Sequence, residues 1–319
     1  MLNANKPERW NDDTRRSVLQ YNEWFMDFAP TTFQSARGAC VEQVDKIFAE
    51  SDALKVLNSD LLVKMPDALS TLRMMCAPPI AVDRLAGLAG VSNSKVKTME
   101  KGSLPTRGKA DFVQSGIPSL LNVIERLLDK QLMNWLASGS QPSDTDLLVA
   151  RSVVADRLCG STSDPIIRNE QESRQLRKIS AYLEGKGYSF HDDASVSAFD
   201  MPHGTYAYHK SVRMFKNAED DSDGWVNTPI DVVIMPLDEK IEKPLLVECK
   251  SAGDFTNTNK RRKEEDTKVT QLRATYGNDV ILYLFLCGYF DATYLGYEAA
   301  NHMDWIWEHR IEDFEGAGV

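Results

Sequence analysis

Long hydrophobic runs are missing from this chain. No apolar stretch approaches the roughly 18 to 20 residues that cross a bilayer, so no membrane span is expected. The opening residues, MLNANKPERWNDDTRRS, are polar and lack the apolar segment of a secretion signal. Cysteine is also scarce. Cys40, Cys76, Cys159, Cys249 and Cys287 are widely spaced, odd in number and form no CxxC or Cys/His cluster. That pattern speaks against a disulfide scaffold and a structural zinc site and fits a reducing cytoplasm. Positive charge is not in excess either: the formal net charge of -10 argues against a nonspecific polyanion binder, although a local basic groove stays open. What is present, 42% hydrophobic and 26% charged residues in 319, describes a globular chain of one large domain or two ordinary ones.

From Asp12 to Ala137 the apolar spacing is helical, and the alternation typical of strands is rare. Breaks are expected at Ala29-Pro30, Met65-Pro66, Ala77-Pro78-Pro79 and Ile117-Pro118. SLLNVIERLLDKQLMNWL, residues 119–136, reads as an amphipathic helix whose broad apolar face is buried against other helices. IAVDRLAGLAGVSNSKVKTMEKG, residues 80–102, resembles a helix-turn-helix, with Ala86 on the first helix, Gly90 at the turn and Val96 on the second. Ser92, Asn93, Ser94, Lys95 and Lys97 would then supply a groove-facing surface; an ordinary helical hairpin has the same spacing. SGSQPSD, residues 138–144, suggests a break and a division into residues 1–145, mainly helical, and 146–319. Helices are expected from Leu147 and over 166–188.

The character then changes. MPHGTYAYHKSVRMF predicts strands around a turn, NAEDDSDGW an acidic loop, and NTPIDVVIMPL and KPLLVECKS two short apolar strands. A helix over 261–277 and a strand in DVILYLFLCGYF follow, the signature of an α/β layer with a buried sheet face.

Charged residues sit at the ends of these apolar strands. Alternation along KPLLVECK puts Glu248 and Lys250 on one face and Cys249 on the other. If IDVVI is the neighbouring strand, Asp231 approaches the same edge. Two carboxylates can hold a hard divalent ion such as Mg2+, and a lysine can contact water or phosphate oxygen, so phosphodiester hydrolysis is the natural reaction. Asp231, Glu248 and the Cys249 carbonyl would hold the metal. Lys250, an ammonium at its ordinary pKa, would polarise rather than act as base. Taken singly, Asp231 is equally a turn residue, and Glu248 with Lys250 a solvated pair. The Cys249 thiol reads as a packed small hydrophobe.

PID followed by ECK resembles the PD-(D/E)xK nuclease core. The stretch ECKSAGDFTNTNKRRKEEDTKVTQLRATYG, continued by LFLCGYFDATYLGYEAANHMDWIWEHRIEDF, is similar to the XamI type II restriction endonuclease family, most distinctively from Asp164 to Phe314. The resemblance implies a mixed sheet flanked by helices in residues 146–319 as the nuclease catalytic domain. Asp231, Glu248 and Lys250 would be its catalytic residues, and Ile230 between Pro229 and Asp231 is a departure from adjacent Pro-Asp. It also implies an acidic contribution from the preceding helix, assigned to Glu170 with Glu172 behind it. Further implications are Mg2+-dependent cleavage of double-stranded DNA leaving 5'-phosphates, GTCGAC as the first sequence to test, a homodimer matching a palindromic site, and a DNA methyltransferase in the host.

Thr256, Asn257, Thr258 and Asn259, then Lys260, Arg261, Arg262 and Lys263, follow the active strand as candidate contacts to bases and phosphates. Local pairing of that cluster with Glu264, Glu265 and Asp266 is the competing reading. Gln271 and Arg273 would support the same region. Trp305, Trp307, His302 and His309 read as packing or surface residues. Two other functions remain open on these residues: a noncatalytic sequence-specific DNA-binding protein, and a structure-specific DNA repair nuclease.

Overall fold

The β-branched and aliphatic runs of the second half pair as one mixed sheet in the computed structural model, which describes residues 1–218, 224–256 and 258–319, excluding the side chains of 258–263. Its strands are β1 (Ser189–Phe190), β2 (Thr205–Phe215), β3 (Trp225–Met235), β4 (Leu245–Ala252), β5 (Ile281–Gly288) and β6 (Asp304–Trp307), lying side by side in that order. β2, β3 and β4 are antiparallel neighbours, whereas β1 pairs parallel to β2 and β4, β5 and β6 pair parallel to one another. Parallel β4 and β5 require a crossover, supplied by the helix Thr258–Tyr276. The expected strand–helix–strand layer is therefore present, and the fold is the α/β, PD-(D/E)xK-like architecture.

The helices, in chain order, are α1 (Pro7–Glu50), α2 (Ser59–Lys64), α3 (Ala68–Met74), α4 (Val82–Ala89), α5 (Asn93–Glu100), α6 (Lys109–Asp111), α7 (Ile117–Leu127), α8 (Trp135–Ser138), α9 (Asp144–Gly185), α10 (Thr258–Tyr276), α11 (Ala292–Ala300) and α12 (Asp313–Gly316). The chain divides into two compact units, one of Met1–Phe28 with Arg168–Val319 and one of Ala29–Ile167.

In the first unit both sheet faces are covered. Val269 and Leu272 of α10, with Tyr294 and Leu295 of α11, pack on Leu246, Leu284 and Leu286. Ile179 and Leu183 of α9 pack on Val232, Val247 and Phe285 from the opposite side. Each fully buried side chain of this kind contributes about 1.5 to 3 kcal/mol, which is why β4 and β5 read as continuous apolar runs. Trp305 and Trp307 are fully buried, as packing residues.

The second unit is helical around Leu62, Leu69, Leu72, Leu85, Val96, Met99, Ile117 and Leu120. Here α4 and α5 are two short helices joined by a tight turn. Gly90 takes the left-handed conformation at φ 67° that closes the turn, and Ala86 and Val96 are buried. The helix expected over 119–136 is shorter. It ends at Leu127 because the next residues pair with 75–77 instead: Leu128 bridges Cys76, and the Asp129 amide donates to the Met75 carbonyl at 3.0 Å.

The interruption expected at Ala29-Pro30 does not occur, nor does a separation between the helices expected from Leu147 and over 166–188. α1 runs through Pro30 and α9 through Pro165, so each helix accepts one missing intrahelical hydrogen bond. Each proline lies close in sequence to a point where the compact units divide. The helices expected from Leu147 and over 166–188 are thus one element, which also runs through the sequence division at 145.

Candidate active site

The β3–β4 pairing decides which charges meet. Val232 is opposite Val247 in the last pair of the ladder, and Asp231 and Glu248 are the next residues beyond it. The contact is direct, since the Cys249 amide donates to Asp231 Oδ2 at 2.8 Å. On β4, Glu248 and Lys250 share a face, and Lys250 Nζ lies 3.1 Å from Glu248 Oε2.

Two further residues complete this cluster from α10. Lys268 Nζ donates to Glu248 Oε1 at 2.7 Å, and Glu265, 3% exposed, lies 3.9 Å from Lys250 while accepting from the Tyr294 hydroxyl at 2.7 Å. Burial favours pairing here, because an unpartnered charge in such a place costs several kcal/mol. Lys268 was not singled out from the sequence, and Glu265 was read only as a local partner of the basic cluster at 260–263. Their spacing of three on one helix, directly after the ECK strand, was the available signal.

The third wall is α9. A cavity of about 340 Å³ is lined by Arg168, Gln171, Glu172 and Gln175 from this helix and by Asp231, Glu248, Cys249 and Lys250 from the sheet. Gln175 is buried and donates to the Phe285 carbonyl at 3.1 Å, fastening the helix to the sheet. Glu170 is not among the described residues lining this cavity; it is paired with Arg177. Glu172, placed behind it in the sequence reading, is the acid that reaches the site.

A kink brings His209 there as well. In β2, Ala207 and then Val212 and Met214 enter one core, while Tyr206 and Tyr208 enter the other, so the alternation changes phase between them. β3 changes phase at the same level, with Val233 and Ile230 in one core and Val232 in the other. The register places His209 opposite Asp231 at that step, and His209 has φ 49°. Non-glycine residues held in that region mark functional or strained positions. Ligand atoms of Glu172, His209 and Asp231 all lie within 4.8 Å of one another, a candidate divalent-metal cluster. The predicted hairpin over 201–215 is instead one distorted strand, and nothing in TYAYHKSV marks the distortion.

Charge explains the state of each group. Burial, then the adjacent Glu248, raises the Asp231 carboxyl above its ordinary value despite the Cys249 amide. Burial alone would push the Lys250 amine down, but Glu248, Glu265 and Asp231 outweigh it and hold the amine above the ordinary lysine value. Lys250 is therefore a fixed cation. The Cys249 thiol is driven well up by burial, with Asp231 and Glu248 adding to it, so it is no nucleophile. Carboxylates of Glu172, Asp231, Glu248 and Glu264 outnumber the cations Arg168 and Lys250 along one cavity, so a counter-cation would favour entry of a phosphate. An oxygen-rich donor set of this kind, with the His209 nitrogen beside it, fits a divalent cation.

The flanking candidates divide. Thr256 is exposed, its amide bonded to Asp254 Oδ1 at 2.8 Å. Asn257 lies outside the described residues, as do the side chains of Thr258, Asn259, Lys260, Arg261, Arg262 and Lys263, whose backbone begins α10. Gln271 donates to the Lys216 carbonyl at 2.6 Å and Arg273 to the His302 carbonyl at 2.9 Å, both structural ties.

A mixed sheet that sets an aspartate opposite the glutamate of an ExK strand, beside a carboxylate-rich cavity, defines a nuclease of the PD-(D/E)xK superfamily. The XamI restriction endonuclease family matches residues 52–307, and the chain belongs to that family. It is 46% identical over 321 residues to the type II restriction enzyme SalI of Streptomyces albus G, covering the whole of both chains. No solved structure matches it significantly.

Proposed function

We propose that this chain is a type II restriction endonuclease that hydrolyses both strands of duplex DNA at a specific short sequence with Mg2+, leaving 5'-phosphate and 3'-hydroxyl ends. The observation that carries the reading is the register of β3 and β4, which seats Asp231 against the Glu248-Cys249-Lys250 segment. Asp231, Glu248 and the Cys249 carbonyl would hold the ion, with Glu172 beside them in place of Glu170. When bound, the ion supplies Lewis-acid polarisation of the phosphoryl group and a more acidic water.

The chain's own residues do the rest. Lys250 stays protonated, so it donates to the attacking water or to a phosphoryl oxygen as negative charge grows there, and does not act as the base. Lys268 neutralises Glu248 until an ion takes that role. Gln175 holds α9 against the sheet, keeping Glu172 at the cavity wall. The residues 256–263 remain the proposed DNA contacts flanking the cut. A homodimer on a palindromic site, a protecting methyltransferase in the host and a cytoplasmic location complete the reading; no helix among the described residues is long and apolar enough to cross a membrane.

The test is digestion of unmethylated DNA carrying GTCGAC among unrelated sites, with Mg2+ and with EDTA. Discrete fragments that map to one repeated sequence and vanish with EDTA are expected. Cleavage confined to branched or single-stranded DNA would overturn the reading in favour of a repair nuclease, and metal-independent specific binding without cutting would favour a noncatalytic binder.

A further inference from the structure

We propose that the helix-turn-helix of α4 and α5, together with the loop 103–108, is a second DNA-contacting surface that grips the phosphate backbone of the duplex. It rests on the nuclease reading for its partner, and it assigns a binding task to a unit that carries none of the cleavage residues.

Packing fixes which side of the motif is free. Leu85, Ala86, Val96 and Met99 are buried, so α5 turns Ser92, Ser94 and Lys97 to solvent. Beside them is a concavity of about 610 Å³ lined by Ser92, Ser94, Lys95, Thr98, Arg107 and Gly108. Hydroxyls, an ammonium and a guanidinium around one hollow are the donors that phosphate oxygens take.

Lys95 is held at that hollow. Its Nζ lies 5.1 Å from the centroid of the Phe112 ring, and a side chain at Gly108, which has φ 66°, would stand 3.7 Å from the same nitrogen. Phe112 opens a π-helical turn, Phe112–Gly116, and any Cβ at Gly116 would come within 2.3 Å of its ring. Single π-turns of this kind are frequent at functional sites. Here it seats the aromatic face that orients the lysine.

Charge then selects the partner. Residues 92–109 contain Lys95, Lys97, Lys101, Arg107 and Lys109 against one acid, Glu100, and that acid is engaged by Arg73. Such a basic segment in a protein of net charge -10 has a local field that salt screens from distant acids over about 8 to 10 Å. A polyanion is the complementary ligand, and duplex DNA is the one this enzyme must hold.

The experiment uses the full chain and fluorescence anisotropy in EDTA, with a labelled GTCGAC duplex and a duplex lacking that sequence. In Lys95→Gln/Lys97→Gln/Arg107→Gln, affinity for both duplexes should fall on the order of 10-fold at about 0.1 M salt, and the salt slope should shrink by about 2 to 3. The variant with Lys95→Arg and Lys97→Arg should bind as the parent does. An unchanged affinity and slope in a triple variant with the parent's unfolding midpoint would overturn the proposal, as would equal loss in the arginine variant. Should the triple variant unfold, Lys97→Gln alone must lower the slope by about 1; no change there overturns it too. Failure of the nuclease reading looks different, as parent protein that binds duplexes yet cuts none.

Discussion

The β3–β4–α10 cluster and the α4–α5 surface both present lysines, yet the lysines do opposite things. In the cluster they are half-buried and locked to carboxylates: Lys250 to Glu248 and Glu265, Lys268 to Glu248. On α5 and the loop after it, Lys97, Lys101 and Arg107 are exposed, and residues 92–109 hold a single acid, Glu100. Desolvated, paired charges have a fixed position and a strong local field, which suits a reaction at one phosphorus atom. Solvated charges of one sign attract a polyanion at a distance without fixing any atom of it. The comparison teaches that chemistry and capture are served by different arrangements of the same side chain.

The largest expected effect separates the two regions most sharply. Lys250→Ala should lower the single-turnover cleavage rate by about 10²- to 10³-fold while leaving duplex affinity within a few-fold. A matching loss of binding would break the comparison by making Lys250 a capture residue. Next comes acidity at the sheet edge. The raised Asp231 carboxyl takes up a proton at higher pH than an ordinary carboxylate, so divalent-ion affinity should fall early on acidification and this component should vanish in Asp231→Asn. Stability has the opposite sign. The metal-free fold binds that proton more tightly than the unfolded chain does, so the contribution is full below about pH 3.9 and is lost as pH rises through the folded value. Thermal unfolding of parent and Asp231→Asn across pH checks this, and a pH-independent difference would contradict it.

Smaller effects sharpen the α5 side. Gly116→Ala forces a Cβ against the Phe112 ring and should cost about 1 to 3 kcal/mol of stability, measured by denaturant unfolding. It should also weaken duplex binding slightly, as Lys95 loses its seat. No change in stability would mean that the π-turn relaxes freely.

Much of this was legible because local pattern and tertiary role agree. β3, β4, α10 and β5 follow from the apolar runs and their bounding turn residues, whereas Asp231, Glu248 and Lys250, expected at strand ends, lie within β3 and β4, which continue past them. The α4–Gly90–α5 turn followed from one glycine and two small or branched residues. Other features depend on contacts remote in sequence. The helix ending at Leu127 yields to pairing with 75–77, and the His209 kink exists only as a cross-strand event with Asp231. The choice between Glu170 and Glu172 was decidable. Residues two apart on a helix point about 200° apart, and Arg168, Gln171, Glu172 and Gln175 share the spacing of one face, from which Glu170 points away. The prolines at 30 and 165 misled for another reason, since a helix tolerates one lost bond when the rest of its length is held.

The central claim is that Glu248, held between Lys250 and Lys268 and facing Asp231, belongs to the cleavage centre. Its most direct test pairs single-turnover cleavage of a GTCGAC duplex with anisotropy binding for Glu248→Ala. The account predicts binding within a few-fold of the parent and a cleavage rate lower by about 10³-fold or more. Cleavage at the parent rate in the folded variant would contradict it and place the active site elsewhere in the chain.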